Sequence, residues 1–274
     1  MSRFLNKVAI ITGSSNGIGQ ATAVLLASEG ASVTIHGRSL DGLKVTEKMM
    51  LDKKVPADRI LVVQGEIQND EIVQNLIENT LNKFGKLDIL INNAGVGGKP
   101  GAERMAMENY DFIHEVNMKS IMKLNDLAEP HLEETKGSIV NVSSVLSKEF
   151  VKLGLCIAIQ PCFQSTQALF YSMGKAELDH YMKIKAFDYA KKGIRINNVN
   201  PGFIDTAILE KAGLSKEEKE KYYKNKDSFI PIGRRGESDE IANVIAFLAS
   251  DAASYVTGST LLADGGLSVE QLKL

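Results

Sequence analysis

The chain has 274 residues, 44% of them hydrophobic, and its 32 basic and 34 acidic side chains leave a formal charge of −2. That balance excludes a nucleic-acid binder built on a basic patch, and the apolar content excludes a disordered chain. The two cysteines, Cys156 and Cys162, are too few for a disulfide framework and indicate a reducing compartment.

In chain order, β-branched apolar runs recur at Val8–Ile11, Val33–Ile35, Ile60–Val63, Leu87–Ile91, Ile139–Val142, Ile194–Val199 and Ser259–Ala263. The first run begins almost at the N-terminus, leaving no room for the charged and apolar regions of a signal peptide. Between the runs lie helix-like stretches: Ile18–Glu29, Asp70–Phe84, Tyr110–Ala128, Leu169–Lys191 and Glu240–Ala249. The charged run Lys216–Lys226 reads as a solvated helix. Continuous apolar strands are those covered on both faces, and strand–helix alternation implies right-handed βαβ units. The expected fold is therefore α/β: one Rossmann-type, doubly wound parallel sheet of about seven strands with helices on both faces. No apolar run is long enough to span a bilayer. No repeat or linker divides the chain, so one domain over residues 1–274 and a cytoplasmic location are expected.

Thr12-Gly13-Ser14-Ser15-Asn16-Gly17-Ile18-Gly19 follows the first strand. Its glycines allow a tight turn and close approach to a pyrophosphate, while the next helix presents free N–H groups to the anion. The spacing is not the G-x-G-x-x-G of the standard fingerprint, and an ordinary strand–helix turn remains the bland alternative. The end of the second strand selects the nucleotide, because an NAD site places an acid there for the ribose 2′-hydroxyl. This chain has Gly37 followed by Arg38: room for a 2′-phosphate, and a guanidinium to grip it. NADP(H) is expected over NAD(H), although Arg38 also reads as an ordinary surface cation.

Tyr171 and Lys175 stand at i and i+4 and share a helix face. A tyrosine titrates near 10, and lowering it to about 7 needs roughly 4 kcal/mol. An ammonium at about 4 Å supplies about that at an effective dielectric near 20. A depressed Tyr171 is the expectation. Ser143 and Ser144 end the fifth strand, where open α/β sheets hold ligands. Asn117 shares a stripe with Ile113, Val116, Ile121 and Leu124, so its buried amide needs partners. Taken alone, it reads as a structural bridge before a catalytic group, and the Tyr–Lys pair alone as an exposed helical pair.

Together these residues resemble the short-chain dehydrogenase/reductase family over nearly the whole chain. Thr12–Gly19 resembles its TGxxxGxG turn, Asn92-Asn93-Ala94-Gly95 its NNAG motif, Pro201–Thr206 its PGxxxT stretch and Asp264-Gly265-Gly266 its C-terminal DGG. Asn117, Ser144, Tyr171 and Lys175 match its catalytic tetrad in order. Gly37-Arg38 is similar to the tropinone-reductase-like group.

The resemblance implies hydride transfer between nicotinamide and a small carbonyl or alcohol. Tyr171 would be the general acid/base, Lys175 would lower its pKa and hold the ribose, and Ser144 would position the substrate oxygen. Asn117 would support a water chain. It assigns the cofactor to Gly13, Ser15, Asn16, Gly17, Ile18, Gly19, Arg38, Glu66, Ile67, Asn93, Ala94, Gly95, Tyr171, Lys175, Pro201, Gly202, Ile204 and Thr206. It also implies a homo-oligomer, with a tetramer favoured, and calls for no metal. Glu66 departs from the family's aspartate. The interval between Ser144 and Tyr171 is roughly twice the usual one. The apolar residues of Lys148–Phe170 there, Phe150, Leu153, Leu155, Ile157, Ile159 and Phe163, read as a roof over an apolar carbonyl substrate together with Phe203–Lys226; packing on a neighbouring subunit is the bland alternative. A non-catalytic NADP(H)-binding regulator is the alternative from another class; a broken tetrad would favour it, and this tetrad is intact.

Overall fold

Seven strands, β1 (Val8–Ile11), β2 (Ser32–Gly37), β3 (Ile60–Gln64), β4 (Ile89–Asn92), β5 (Ser138–Val142), β6 (Arg195–Pro201) and β7 (Thr260–Ala263), form one sheet in the computed structural model. Their order is β3-β2-β1-β4-β5-β6-β7 and every pairing is parallel. The structure describes residues 2–148, 168–206, 215–228 and 230–268. Both cysteines, most of the segment between Ser144 and Tyr171, and residues 207–214 lie outside them, so most of the first part of the expected roof and the middle of its second part are not among the described residues.

The helices are α1 (Gly17–Ser28), α2 (Leu40–Asp52), α3 (Asp70–Phe84), α4 (Met107–His114), α5 (Ser120–Thr135), α6 (Leu169–Lys191), α7 (Lys216–Asp227) and α8 (Ser238–Ala249). β1, β4 and β5 are buried at every residue. Successive side chains of a strand point to opposite faces, so each strand divides its residues between two cores. Ala9, Ile11, Ile35 and Val140 pack under Ala23 and Leu26 of α1, Leu43 and Met50 of α2, and Ile245 of α8. Ile10, Leu90, Ile139 and Ile196 pack under Leu76 of α3, Leu124 and Leu132 of α5, and Met182 of α6. Two covered faces are why the strands read as continuous apolar runs and not as alternating ones.

α2 escaped the sequence reading. Leu43, Thr46 and Met50 face inward, but Leu40, Val45, Met49 and Leu51 are exposed, which blurs the apolar stripe. Ser39 starts the helix by accepting from the Gly42 N–H at 3.1 Å, the usual side-chain cap. The expected helix Tyr110–Ala128 is interrupted by a π turn, Glu115–Lys119, before α5 runs on through Pro130 to Thr135. Among the described residues no helix is long and apolar enough to cross a membrane.

The strand order reverses between β1 and β4, on whose far sides lie β2 and β5. In open parallel sheets that reversal leaves a crevice at the carboxyl ends of the strands.

Candidate active site

At that edge lies a cleft of about 960 Å³. Gly13 turns out of β1 at φ +68°, a left-handed conformation natural to glycine, and a Cβ there would stand 2.8 Å from the Ala94 Cα. At Gly19 a Cβ would stand 2.3 Å from the Asn93 Nδ2. That nitrogen donates to the carbonyls of Thr12 (2.9 Å) and Gly13 (3.0 Å), so Asn93 pins the turn from β4. Asn16 begins α1 without a side-chain cap, leaving the first N–H groups of the helix open to an anion.

Of the expected cofactor residues, Gly13, Ser15, Asn16, Gly17, Ile18, Arg38, Ile67, Asn93, Ala94, Gly95, Tyr171, Lys175, Pro201, Gly202, Ile204 and Thr206 line the cleft. Gly17 approaches Thr206 closely enough that a Cβ would meet its methyl at 3.3 Å. Gly19 and Glu66 do not line it. Gly19 is packed behind the turn, and Glu66 is exposed, with Ile67 and Gln68 forming the wall at the end of β3. Among the described residues no Asp or Glu lines the cleft, whereas Arg38, Lys99, Arg104 and Lys175 do. These walls fit a polyanionic dinucleotide.

The catalytic candidates converge from three elements. Lys175 on α6 is 3% exposed, and its Nζ donates to the Val142 carbonyl at the end of β5 at 2.7 Å. The same Nζ lies 5.6 Å from the centre of the Tyr171 ring. Tyr171 and Ser144 share a side-chain hydrogen bond, and the Ser144 Oγ also accepts from the Leu146 N–H at 3.1 Å. Ser143 points elsewhere, donating to the Lys175 carbonyl at 3.2 Å. The serine pair, ambiguous in sequence, is thereby divided: Ser144 faces the tyrosine.

The expected depression of Tyr171 is corrected. Burial pushes its hydroxyl above the usual 10, and the Ser144 hydrogen bond only partly opposes this. Burial also lowers Lys175 to about 8, with Asp179 opposing the fall. The ammonium is spent on the Val142 carbonyl and lies beside the ring, while the low-dielectric wall penalises both charged forms. In this state the Tyr171 hydroxyl stays protonated throughout the neutral range.

Asn117 sits within the π turn, fully buried. Its Oδ1 accepts from the Val96 N–H at 2.8 Å and its Nδ2 donates to the Val96 carbonyl at 2.9 Å. Both halves of the amide are satisfied by one residue of the loop after β4, so Asn117 fixes the loop that begins beside Lys175. It does not line the cleft.

Sequence reasoning missed three groups here. His36, immediately before Gly37-Arg38, lines the cleft, and burial lowers it to about 4, keeping it neutral. Lys99 and Arg104 line the outer wall of the cleft, on a loop without periodicity. Asp179, Asn198 and Asn200 lie beneath the floor as a buried polar cluster; the asparagines sit inside a strand, where amides carry no pattern of their own.

Residues 13–268 match the family model described as enoyl-(acyl carrier protein) reductase. A 3-oxoacyl-[acyl-carrier-protein] reductase, FabG, from Thermotoga maritima is 36% identical over 97% of this chain and 100% of its own length. A glucose 1-dehydrogenase from Gluconobacter oxydans is 35% identical, covering 97% of this chain and 94% of that protein. A crystal structure of a short-chain dehydrogenase/reductase of unknown function from Caenorhabditis elegans, solved with cofactor, superposes with a TM-score of 0.90. It is 36% identical and covers 98% of each chain.

Proposed function

The chain belongs to the short-chain dehydrogenase/reductase family of hydride-transferring, nicotinamide-dependent oxidoreductases, and from that premise we propose that it is an NADP(H)-dependent reductase of small carbonyl compounds. One observation carries the reading: a protonated Tyr171, hydrogen-bonded to Ser144 and flanked by Lys175, faces a cleft with cationic walls and no carboxylate among its described lining residues. When bound, the cofactor supplies or accepts the hydride. The chain's own residues do the rest. Ser144 and Tyr171 hold the substrate oxygen between two hydroxyls, and Tyr171 delivers the proton. Lys175, cationic at neutral pH, offsets the negative charge left on the phenol oxygen. A phenol held protonated favours the reductive direction at neutral pH.

Gly37 and Arg38 support NADP(H) over NAD(H): the glycine leaves room beside Ser15, and the guanidinium borders the cleft without an ion pair among the described residues. Val96, Val145, Leu146 and Phe203 give the substrate end an apolar wall, which supports an apolar ketone or secondary alcohol as substrate. Met122 and Leu127 of α5 and Met173, Ile184 and Phe187 of α6 are exposed, a pattern that supports subunit pairing along these helices in a homotetramer. A cytoplasmic setting completes the reading. The test is NADPH consumption, followed by fluorescence, against ketones, diketones, quinones, steroids, a 3-oxoacyl thioester and glucose. Turnover of an apolar ketone with NADPH at least about tenfold above NADH supports it; NADH preference, or no turnover of any carbonyl, overturns it.

A further inference from the structure

Asn92, Asn141 and Asn198 are register partners on the adjacent strands β4, β5 and β6. Their amides form a one-directional ladder inside the sheet. The Asn92 Nδ2 donates to the Asn141 Oδ1 at 2.8 Å, and the Asn141 Nδ2 to the Asn198 Oδ1 at 2.9 Å. The last amide, Asn198 Nδ2, donates to the Oδ1 of Asp179 at 2.8 Å. A ladder in which each amide donates onward must end on an acceptor, and an ionised carboxylate is acceptor-only. The second carboxylate oxygen is used as well. Oδ2 accepts from the Asn200 Nδ2 at 2.8 Å and from the Ser147 Oγ at 2.6 Å. Asn200 in turn reaches the Ser144 carbonyl at 2.9 Å.

Asp179 thus ties together the ends of β5 and β6 and the turn Val145–Ser147, the segments that aim Ser144 and the Val142 carbonyl. It is 9% exposed and stands one helical turn after Lys175, where side chains four apart are neighbours. A buried ammonium is costly unless a counter-charge faces it. Among the described residues, the other groups around Lys175 are neutral: Val142 at the end of β5, Ser143 and Ser144 just after it, and Asn117 and Gly95 beside β4. Tyr171 is the remaining titratable neighbour and stays protonated; Glu177 and His180 lie on the exposed side of α6.

We propose that Asp179 is a positioning residue of this site, whose buried carboxylate both terminates the asparagine ladder beneath Ser144 and serves as the counter-ion of Lys175. The proposal rests on the reductase reading for its kinetic consequence, but its electrostatic core is testable without turnover. Lys175 sits near 8, below its ordinary 10.5, and Asp179 is what opposes a further fall. Between those two values the unfolded chain binds more protons, so the cost of the buried ammonium is full below pH 8 and is relieved as the pH rises. Removing the carboxylate enlarges that cost only while Lys175 is charged.

The experiment compares the full-length Asp179→Asn and Ser147→Ala variants with wild type by urea unfolding across about pH 6.5 to 9.5, alongside the pH dependence of kcat/KM for ketone reduction. One unit of pKa corresponds to a factor of about ten in an equilibrium constant. Asp179→Asn is expected to lower the folding equilibrium constant about tenfold more at the acid end than at the alkaline end. Its alkaline kinetic limb is expected to move about one unit to lower pH. Ser147→Ala, which removes a hydrogen bond without a charge, should show a pH-independent loss and an unmoved limb. If Asp179→Asn does not fold, the Asp179→Asn/Lys175→Met variant is expected to fold, because the orphaned ammonium is gone; failure of that variant too overturns the counter-ion role. A pH-independent loss in Asp179→Asn overturns it as well. Absence of ketone reduction in wild type would overturn the reductase reading while leaving the unfolding comparison to decide on Asp179.

Discussion

Arg38→Ala separates the two nicotinamide nucleotides. The guanidinium borders the cleft just beyond β2 and makes no ion pair among the described residues, so the substitution breaks no ion pair there. NADPH and NADH differ in the 2′-phosphate, and a hydrogen bond between charged groups contributes roughly 1.5–3 kcal/mol. Arg38 is exposed, and solvent screening pushes the value to the low end, about 1.5 kcal/mol. The expected loss is therefore roughly tenfold in NADPH affinity, with NADH within about twofold of wild type. Fluorescence titration of the two nucleotides at low and at elevated salt measures it, and the NADPH loss should shrink with salt. The complementary change is Gly37→Asp. Its Cβ would meet Ser15 atoms at 3.1 Å, close but against a small side chain, and its carboxylate would repel a 2′-phosphate while accepting from a 2′-hydroxyl. Nucleotide preference should invert. Equal losses of NADPH and NADH affinity in Arg38→Ala, together with an unchanged preference in Gly37→Asp, would refute the assignment of this end of the cleft to the 2′-phosphate.

Tyr171→Phe should reduce ketone turnover by at least about 10²-fold while NADPH still binds; turnover within a few-fold of wild type would remove Tyr171 from the chemistry. The ultraviolet difference between wild type and Tyr171→Phe should show no phenolate until the pH passes 10, because burial raises this hydroxyl; a transition near pH 7 in the cofactor-free protein would contradict that. Ser144→Ala should cost about 10²-fold in kcat, since it removes the hydroxyl paired with Tyr171, whereas Ser143→Ala, which loses a bond to the Lys175 carbonyl, should stay within several-fold. Asn117→Ala leaves the Val96 N–H and carbonyl unpaired, at about 2 kcal/mol; calorimetry should show a melting temperature lower by roughly 5 °C, and an unchanged value would mean that water replaces the amide without cost.

The sheet was legible in the sequence because its physics is local. Seven β-branched runs correspond to seven strands within a few residues, since burial on both faces leaves a continuous apolar signal. The glycine turn was legible for a similar reason: Gly13 has a positive φ and Gly19 has no room for a Cβ, and both constraints are written directly as residue identity. Helix α2 was not legible. Its exposed Val45, Met49 and Leu51 obscure the inward face, and what holds it is packing on α1, β2 and β3, which its own residue pattern does not show. The order of Asn117, Ser144, Tyr171 and Lys175 carried the resemblance, yet the state of the tetrad did not follow from spacing. The four-residue step from Tyr171 to Lys175 fixes a shared helix face, but the pKa of each depends on how much water the surrounding elements exclude. Tertiary burial raised a hydroxyl that the Tyr–Lys spacing predicts to be lowered. It also set Ser144 apart from Ser143, because the direction in which the chain leaves β5 decides which hydroxyl reaches Tyr171 and which bonds the Lys175 carbonyl. The asparagine ladder ending on Asp179 belongs wholly to tertiary structure: its members are separated by tens of residues, and parallel register alone brings their amides together.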